Sequence, residues 1–151
     1  MIVPNQKQPG YKKTAVGRIP KDWECVALAK KLAAVIDYRG KGPNKVSFGI
    51  TLITARNIKK GYVDFSAGHE CIPVSEYDHW MCRGIPAAGD VLFTTEAPLG
   101  NAALYPTDRR YALAQRVVTL RGKLGELHGA FLMYYVLSPS GSRQILTLGT
   151  G

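Results

Sequence analysis

Hydrophobic and polar residues alternate most regularly over residues 46–52, where Val46, Phe48, Ile50 and Leu52 are separated by serine, glycine and threonine. A period of two is typical of a strand that buries one face, so a strand is predicted here. Shorter apolar runs predict further strands over residues 35–38, 62–65, 91–95, 102–105 and 116–121. Residues 27–33 carry helix-forming side chains instead.

Apolar residues near the C-terminus follow a helical spacing. Leu127, Ala130, Phe131, Tyr134 and Leu137 fall on one face of a helix that we expect to pack on the sheet and to break at Pro139. Shorter helices are predicted over residues 142–148 and between Ser75, a suitable N-cap, and Gly84. Because strands and helices mix without a regular βαβ repeat, we expect an α+β fold. It would be one compact domain with a twisted, mostly antiparallel or mixed sheet and a few packed helices.

Two polar segments connect these elements, and a third segment combines a strand with polar turns. Residues 39–45 (RGKGPNK) combine glycine, proline and cations, which predicts an exposed basic loop. Residues 54–61 form a second polar, basic connection. Residues 89–101 (GDVLFTTEAPLGN) carry a turn, a short apolar strand, two threonines, a glutamate and a Pro/Gly turn. That order predicts a hairpin whose polar tip either contacts a ligand or only holds a nearby arginine.

The length and composition indicate one domain with an ordinary core. The chain has 151 residues, of which 46% are hydrophobic. No apolar run approaches the roughly 18 residues of a membrane helix. Residues 1–10 form a polar lead-in with no apolar stretch suited to a signal peptide, so we expect a cytoplasmic protein without a membrane contact. Three unevenly spaced cysteines fit a reducing compartment rather than a disulfide framework.

Positive charge is concentrated in the first part of the sequence. The formal net charge is +9, and residues 1–60 alone hold thirteen Lys/Arg against three Asp/Glu. Residues 61–151 hold seven Lys/Arg against eight Asp/Glu. Such asymmetry favours a polyanionic partner, most simply nucleic acid. The alternative is a basic surface that has no specific partner.

Two side-chain sets suggest metal chemistry. His69, Cys71, His79 and Cys82 are zinc-ligand types, but their spacing matches no common zinc signature, which favours buried thiols and partly exposed imidazoles. Asp90, Glu96 and Asp108 could hold Mg²⁺ in a small nuclease. Position 98 is proline, however, where nucleases of that design usually keep a lysine, and Asp90 suits a turn. No catalytic and no metal-ligating residue is assigned, and the chain is predicted to be non-catalytic.

A DNA-contacting surface is the remaining interpretation. The candidate residues are cations and hydrogen-bonding side chains on loops that flank the strands. They are Arg39, Lys41, Lys45, Thr54, Arg56, Asn57, Lys59, Lys60, Thr94, Thr95, Arg109, Arg110, Gln115 and Arg116. For each of them the alternative is a solvated surface side chain, and Arg116 has the further alternative of pairing with Glu96. A protein-interaction module with exposed aromatic anchors at Tyr62, Trp80, Tyr105 and Tyr111 is a third hypothesis.

Taken together, these segments resemble the target recognition domain of the DNA specificity subunit of a type I restriction–modification enzyme. The resemblance covers residues 10–151 and is most specific in GDVLFTTEAPLGN, which is similar to that family's "GDIL…T…GN" segment. The other matching segments are GYKKT (10–14), VGRIPKDWE (16–24), LITARNI (52–58), ALAQRV (112–117), FLMYY (131–135) and LGTG (148–151).

The resemblance implies a reader of double-stranded DNA without an active site. In that family two recognition domains alternate with two long helices, and each domain reads one half of a split target. The helices dock methylation subunits, which carry S-adenosylmethionine. A separate translocating restriction subunit uses ATP and Mg²⁺. The chain matches one recognition domain, residues 11–151, without the spacer helix and the second domain. It is therefore expected to be a fragment or one half of a natural subunit.

Overall fold

Two small sheets, a terminal hairpin and three helices make up the computed structural model, which describes residues 10–148. The strands are β1 (Tyr11–Thr14), β2 (Gly17–Pro20), β3 (Leu32–Asp37), β4 (Ile50–Ile53), β5 (Cys71–Ile72), β6 (Val91–Thr94), β7 (Ala102–Leu104), β8 (Ala112–Leu113) and β9 (Val117–Gly122). The helices are α1 (Tyr77–Trp80), α2 (Gly129–Leu137) and α3 (Pro139–Leu148). The predicted α+β class is confirmed.

The two sheets differ in their connectivity. The first is antiparallel, in the order β3-β9-β6-β7. The second has the order β5-β4-β8, and in it β4 runs antiparallel to β5 and parallel to β8. Strands β1 and β2 pair only with each other. The sheet is therefore mixed where β4 and β8 meet, and the carboxyl ends of these two strands lie at the same edge.

The antiparallel sheet is covered on both faces. Leu92 belongs to an apolar cluster that also includes Ile53 and Leu113 of the mixed sheet. Its neighbour Val91 belongs to a second cluster, which is completed by residues of α2. Successive side chains of a strand point to opposite faces, so β6 contributes to both cores. The mixed sheet is thus held to the antiparallel sheet by a shared core.

The hairpin predicted from GDVLFTTEAPLGN is present. Strand β6 pairs with β7 on one side and with β9 on the other, and the bounds differ from the predicted ones by one or two residues. Asp90, before β6, is buried and accepts hydrogen bonds from the Ala87 backbone N–H (2.8 Å) and from the Arg121 guanidinium (2.7–3.2 Å). Asp90 therefore fastens the start of β6 to the end of β9. The Arg121–Asp90 hydrogen bonds raise the pKa of Arg121.

One predicted strand is shortened, and another is reduced to a single bridge. Strand β4 begins only at Ile50, and Phe48 is 90% exposed. The backbone of Gly49 has a φ of +149° and packs so closely on Ile72 that a Cβ would lie 2.1 Å from the Ile72 carbonyl oxygen. This close approach turns the chain out of the ladder before Ile50. Residues 62–65 retain only a bridge between Val63 and Ile58, followed by a 3-10 turn. Residues 27–33 form a 3-10 turn that leads directly into β3.

The buried face predicted for the C-terminal helix is wrong. The buried residues of α2 are Gly129, Leu132, Met133 and Val136, whereas Phe131 and Tyr134 are exposed. Gly129 sets this orientation, because a Cβ there would lie 1.8 Å from the Gly89 carbonyl oxygen. Only glycine lets α2 approach the turn before β6 with this face inward.

Pro139 begins α3 instead of only ending a helix. The Ser138 hydroxyl accepts a hydrogen bond from the Gly141 N–H (3.1 Å), so Ser138 caps α3 and Pro139 takes its first position. The short helical segment near Ser75 is present, but Pro73 precedes it and no side chain caps it. Gly84 ends that segment, as predicted. Among residues 10–148 no helix is long and apolar enough to cross a membrane. The lead-in at residues 1–9 and the closing residues 149–151 lie outside the described residues.

Candidate nucleic-acid interface

A polar cleft of about 280 Å³ opens at the edge where β4 and β8 both end. The segment after β4 supplies Thr54 and Arg56, and the segment after β8 supplies Gln115 and Arg116. The Ala114 N–H donates to the Ile53 carbonyl (2.9 Å), which keeps the two segments side by side. Five of the fourteen candidate residues line this cleft: Lys45, Thr54, Arg56, Gln115 and Arg116.

Asn57 shapes the wall after β4 and is not part of its surface. Its side-chain oxygen accepts hydrogen bonds from the Thr54 N–H (2.9 Å) and from the Thr54 hydroxyl (2.7 Å). Its amide nitrogen donates to the carbonyls of Asp64 (3.0 Å) and Gly68 (2.9 Å). Asn57 is 1% exposed, so its side chain is committed to this turn, and its contact with DNA stays a prediction. Its hydrogen bonds fix the turn that presents Arg56.

Thr94 has a similar structural role on the opposite wall. Its hydroxyl donates to the Pro98 carbonyl (2.5 Å) and accepts from the Asn101 N–H (2.9 Å), and its side chain is buried. The Thr95 hydroxyl oxygen is also inaccessible to solvent. Both hydroxyls are therefore turned into the protein, and the prediction that these threonines contact DNA stays a prediction. Thr94 closes the loop that carries Glu96, which lies 3.8 Å from the Arg116 guanidinium, so the predicted pairing is present as a long, exposed contact.

Glu70 holds two of the cleft's cations. Lys45 Nζ lies 2.8 Å from its Oε2, and Arg56 Nη2 lies 2.9 Å from its Oε1. Lys45 comes from the predicted basic loop and Arg56 from the turn after β4, so one carboxylate joins two segments that are distant in sequence. Sequence reasoning missed Glu70, because a single glutamate carries no distinguishing pattern. Its position directly before the buried Cys71-Ile72 pair was the one available signal.

The basic loop over residues 39–45 forms a further wall. Gly42 lies against the side-chain amide of Gln115, since a Cβ at Gly42 would be 3.7 Å from its Nε2. Arg39 pairs with Asp37 (2.6–2.8 Å), and this hydrogen bond holds the pKa of Asp37 below its usual value. Arg83, which sequence reasoning also missed, donates to the carbonyls of Asp37 and Arg39 and fixes the start of the loop. Lys41 is exposed within the loop.

The other candidate cations lie outside the cleft. Lys59 and Lys60 follow Arg56 on a turn that Asn101 and Ala102 hold through hydrogen bonds to Ile58 and Gly61. Arg109 and Arg110 precede β8 and therefore lie at the opposite end of this strand from Gln115. Arg109 pairs with Asp108 (3.0 Å), and the Arg110 guanidinium lies 5.0 Å from the centre of the Tyr77 ring. The structure thus separates these two arginines from the other candidates.

The alternative sites are not assembled in the described part of the chain. Asp90 is bound to Arg121, Glu96 lies near Arg116, and Asp108 accepts from the Tyr111 hydroxyl, so the three acids occupy three places. The Tyr111 hydrogen bond, followed by Arg109, lowers the pKa of Asp108. His69 and Cys71 approach to 3.6 Å, but among residues 10–148 no three His, Cys, Asp or Glu side chains converge as metal ligands.

The aromatic anchors of the protein-interaction hypothesis are mostly internal. Tyr105 and Tyr111 are buried and pack edge to face. Trp80 donates its indole N–H to the Leu113 carbonyl (2.9 Å) and stacks on Tyr38. Tyr62 alone of the four is exposed. The main support for that hypothesis is therefore lost.

Comparisons with known proteins agree with the resemblance seen in the motifs. No family model matches the chain. It is 25% identical over 132 residues to a protein of Methanocaldococcus jannaschii named "Putative type I restriction enzyme MjaX specificity subunit", a match that covers 85% of this chain. Its fold matches the HsdS subunit from Thermoanaerobacter tengcongensis with a TM-score of 0.58 and 14% identity over 88% of this chain. The chain spans 31% of the length of each relative. The resemblance to a type I restriction enzyme specificity subunit is thereby confirmed in sequence, and the fold matches that of an HsdS subunit.

Proposed function

We propose that this chain recognises one half of a bipartite double-stranded DNA target as a recognition domain of a type I restriction–modification specificity subunit, without catalysis of its own. One observation carries the proposal: four polar or basic side chains line the same cleft. They are Lys45, Arg56, Gln115 and Arg116. These residues come from three sequence segments, and the parallel pairing of β4 with β8 brings two of these segments together. The similarity to specificity subunits supports the same conclusion.

The chemistry of the cleft suits two kinds of DNA contact. Lysine and arginine neutralise phosphates and fix the protein's register on the duplex without reading sequence. Gln115 has an amide group of the kind that makes paired hydrogen bonds to adenine in the major groove. Each such pair adds roughly 1–3 kcal/mol of discrimination between bases. We assign phosphate contacts to the basic rim and base contacts to Gln115.

The proposed partners follow from this role. Docked methylation subunits would supply S-adenosylmethionine, and through them a translocating restriction subunit would supply ATP-driven, Mg²⁺-dependent chemistry. This chain would provide only the recognition step. Because its target would be chromosomal DNA, we place its action in the cytoplasm.

A salt titration of the wild-type domain tests the proposal. The affinity of the wild-type domain for duplex DNA should fall linearly on a plot of log K against log salt, with a slope of about −0.9 for each phosphate contacted. Affinity that is absent at low salt, or that does not change with salt, would contradict a DNA-binding role. Cleavage of plasmid DNA in Mg²⁺ that Glu96→Gln abolishes would support the nuclease alternative instead.

The cellular target can be identified by mapping DNA methylation in the source strain with the gene intact and deleted. We expect one split adenine-methylated sequence to disappear on deletion. An unchanged methylation pattern would argue against assembly with active methylation subunits.

A further inference from the structure

Glu70 is the only acidic residue among the described residues that line the polar cleft. A carboxylate in a site for a polyanion opposes binding, because it repels phosphate and reduces the net positive charge. A cleft that only attracted DNA would gain nothing from it. The position of Glu70 therefore requires a different explanation.

The geometry around Glu70 provides that explanation. Each of its two carboxylate oxygens contacts a different cation, Lys45 at 2.8 Å and Arg56 at 2.9 Å. The Glu70 carbonyl accepts a hydrogen bond from the Leu52 N–H (2.8 Å), so its backbone is tied to β4. The Glu70 side chain is 23% exposed, compared with 49% for Lys45 and 63% for Arg56. The anchor is thus largely internal, while both cations extend into solvent.

Arg56 is confined from a second direction. Gly68 lies beside its guanidinium, where a Cβ would be 3.5 Å from Nη2. The Gly68 carbonyl in turn accepts from Asn57, the residue that fixes the Arg56 turn. The Arg56 guanidinium thus lies between the Glu70 carboxylate and Gly68, on a turn that Asn57 fixes. Long basic side chains lose rotamer freedom when they contact a phosphate, and a pre-ordered pair has less freedom to lose.

Resting on the proposed function, we propose that Glu70 is a positioning residue that holds Lys45 and Arg56 at a fixed spacing on the DNA backbone. The charge of Glu70 lowers the affinity for DNA in general. The spacing that it imposes fixes the register of the protein on the duplex and so the alignment of Gln115 with the bases, which raises the discrimination between sequences. Its effect passes through Lys45 and Arg56, and Glu70 itself makes no contact with DNA.

Two substitutions separate charge from geometry. Glu70→Gln removes the repulsion and the ion pairs, so we expect tighter binding to random duplex DNA and about a tenfold loss of discrimination. Glu70→Asp keeps the charge but shortens the side chain, so we expect it to lose discrimination without a gain in general affinity. Glu126→Gln is the control, since Glu126 is exposed and pairs with Lys31, and neither residue lines the cleft. It should leave discrimination unchanged.

Selection from a randomised duplex pool, followed by titration of the enriched and the unselected DNA, measures both quantities. The thermal midpoint of each variant shows that it is folded, and Lys45→Met replaces Glu70→Gln as the uncoupling variant if the latter unfolds. If the wild type enriches a sequence and both Glu70 variants discriminate as well as it does, this inference fails and the proposed function stands. If the wild type enriches no sequence, the proposed function fails, and this inference fails with it.

Discussion

The two sheets use polar side chains in opposite ways. In the antiparallel sheet, Asp90 and Thr94 are buried and bond to neighbouring strands and turns. At the carboxyl edge of the mixed sheet, Gln115 and Arg116 follow a strand of only two residues and line an open cleft. One sheet is a scaffold with both faces covered, whereas the other ends in loops that present hydrogen-bonding groups. Residue type alone therefore does not separate a scaffold residue from a contact residue.

The largest effect is expected in the core of the scaffold. Leu132→Ala removes a buried side chain between α2 and the antiparallel sheet and should lower the free energy of unfolding by about 3 kcal/mol. Tyr134→Ala, two residues further along the helix, should change it by less than about 0.5 kcal/mol, because that side chain is 69% exposed. Denaturant unfolding measures both. A larger loss for Tyr134→Ala than for Leu132→Ala would show that α2 buries the face expected from its sequence.

The ion pair at the start of β6 comes next. Asp90→Ala leaves the Arg121 guanidinium and the Ala87 N–H without the carboxylate that they bind. We expect the free energy of unfolding to fall by about 2–3 kcal/mol, less than for a fully buried pair, because Arg121 is partly exposed. Glu126→Ala, which breaks the exposed pair with Lys31, should cost less than about 1 kcal/mol. Neither change should alter sequence discrimination. If Asp90→Ala changed the discrimination between DNA sequences, the antiparallel sheet would not be only a scaffold.

Asn57 tests the boundary between scaffold and contact surface. Asn57→Ala removes four hydrogen bonds and should lower the free energy of unfolding by about 2 kcal/mol. Because the same bonds fix the turn that carries Arg56, DNA affinity should fall as well. If Asn57 instead contacted bases, binding would be lost while the unfolding midpoint stayed unchanged. Chemical denaturation and DNA titration of one preparation distinguish the two outcomes.

Sequence reasoning worked where local chemistry decides the structure. The run GDVLFTTEAPLGN carries its own turn residues, and its strand and hairpin partner were located within one or two residues. It failed where a distant contact decides the outcome. The contact of Gly49 with Ile72 removes half of the best alternating pattern, and the contact of Gly129 with Gly89 sets the face of α2. Neither contact is visible in local periodicity.

The candidate site was predicted in the same partial way. The basic loop and the connection over residues 54–61 were identified by composition, but the turn after β8 was not. The cleft also requires the parallel pairing of β4 with β8, which the sequence does not show. Asn57 and Thr94 hold turns in the structure, because amides and hydroxyls serve turns as readily as bases. In GDVLFTTEAPLGN, Thr94 is buried and the Thr95 hydroxyl oxygen is inaccessible to solvent. Of the three polar residues at the tip, Glu96 is the exposed one, and it lies 3.8 Å from the Arg116 guanidinium.

The most direct test of the central claim compares two similar arginines. Arg116 in the cleft and Arg109 at the other end of β8 are both exposed, and each lies near a single exposed carboxylate. Each is changed to alanine, and affinity for duplex DNA is measured at low salt. We predict a loss of about tenfold for Arg116→Ala and less than about twofold for Arg109→Ala. Equal losses, or a larger loss for Arg109→Ala, would contradict the assignment of DNA binding to the cleft.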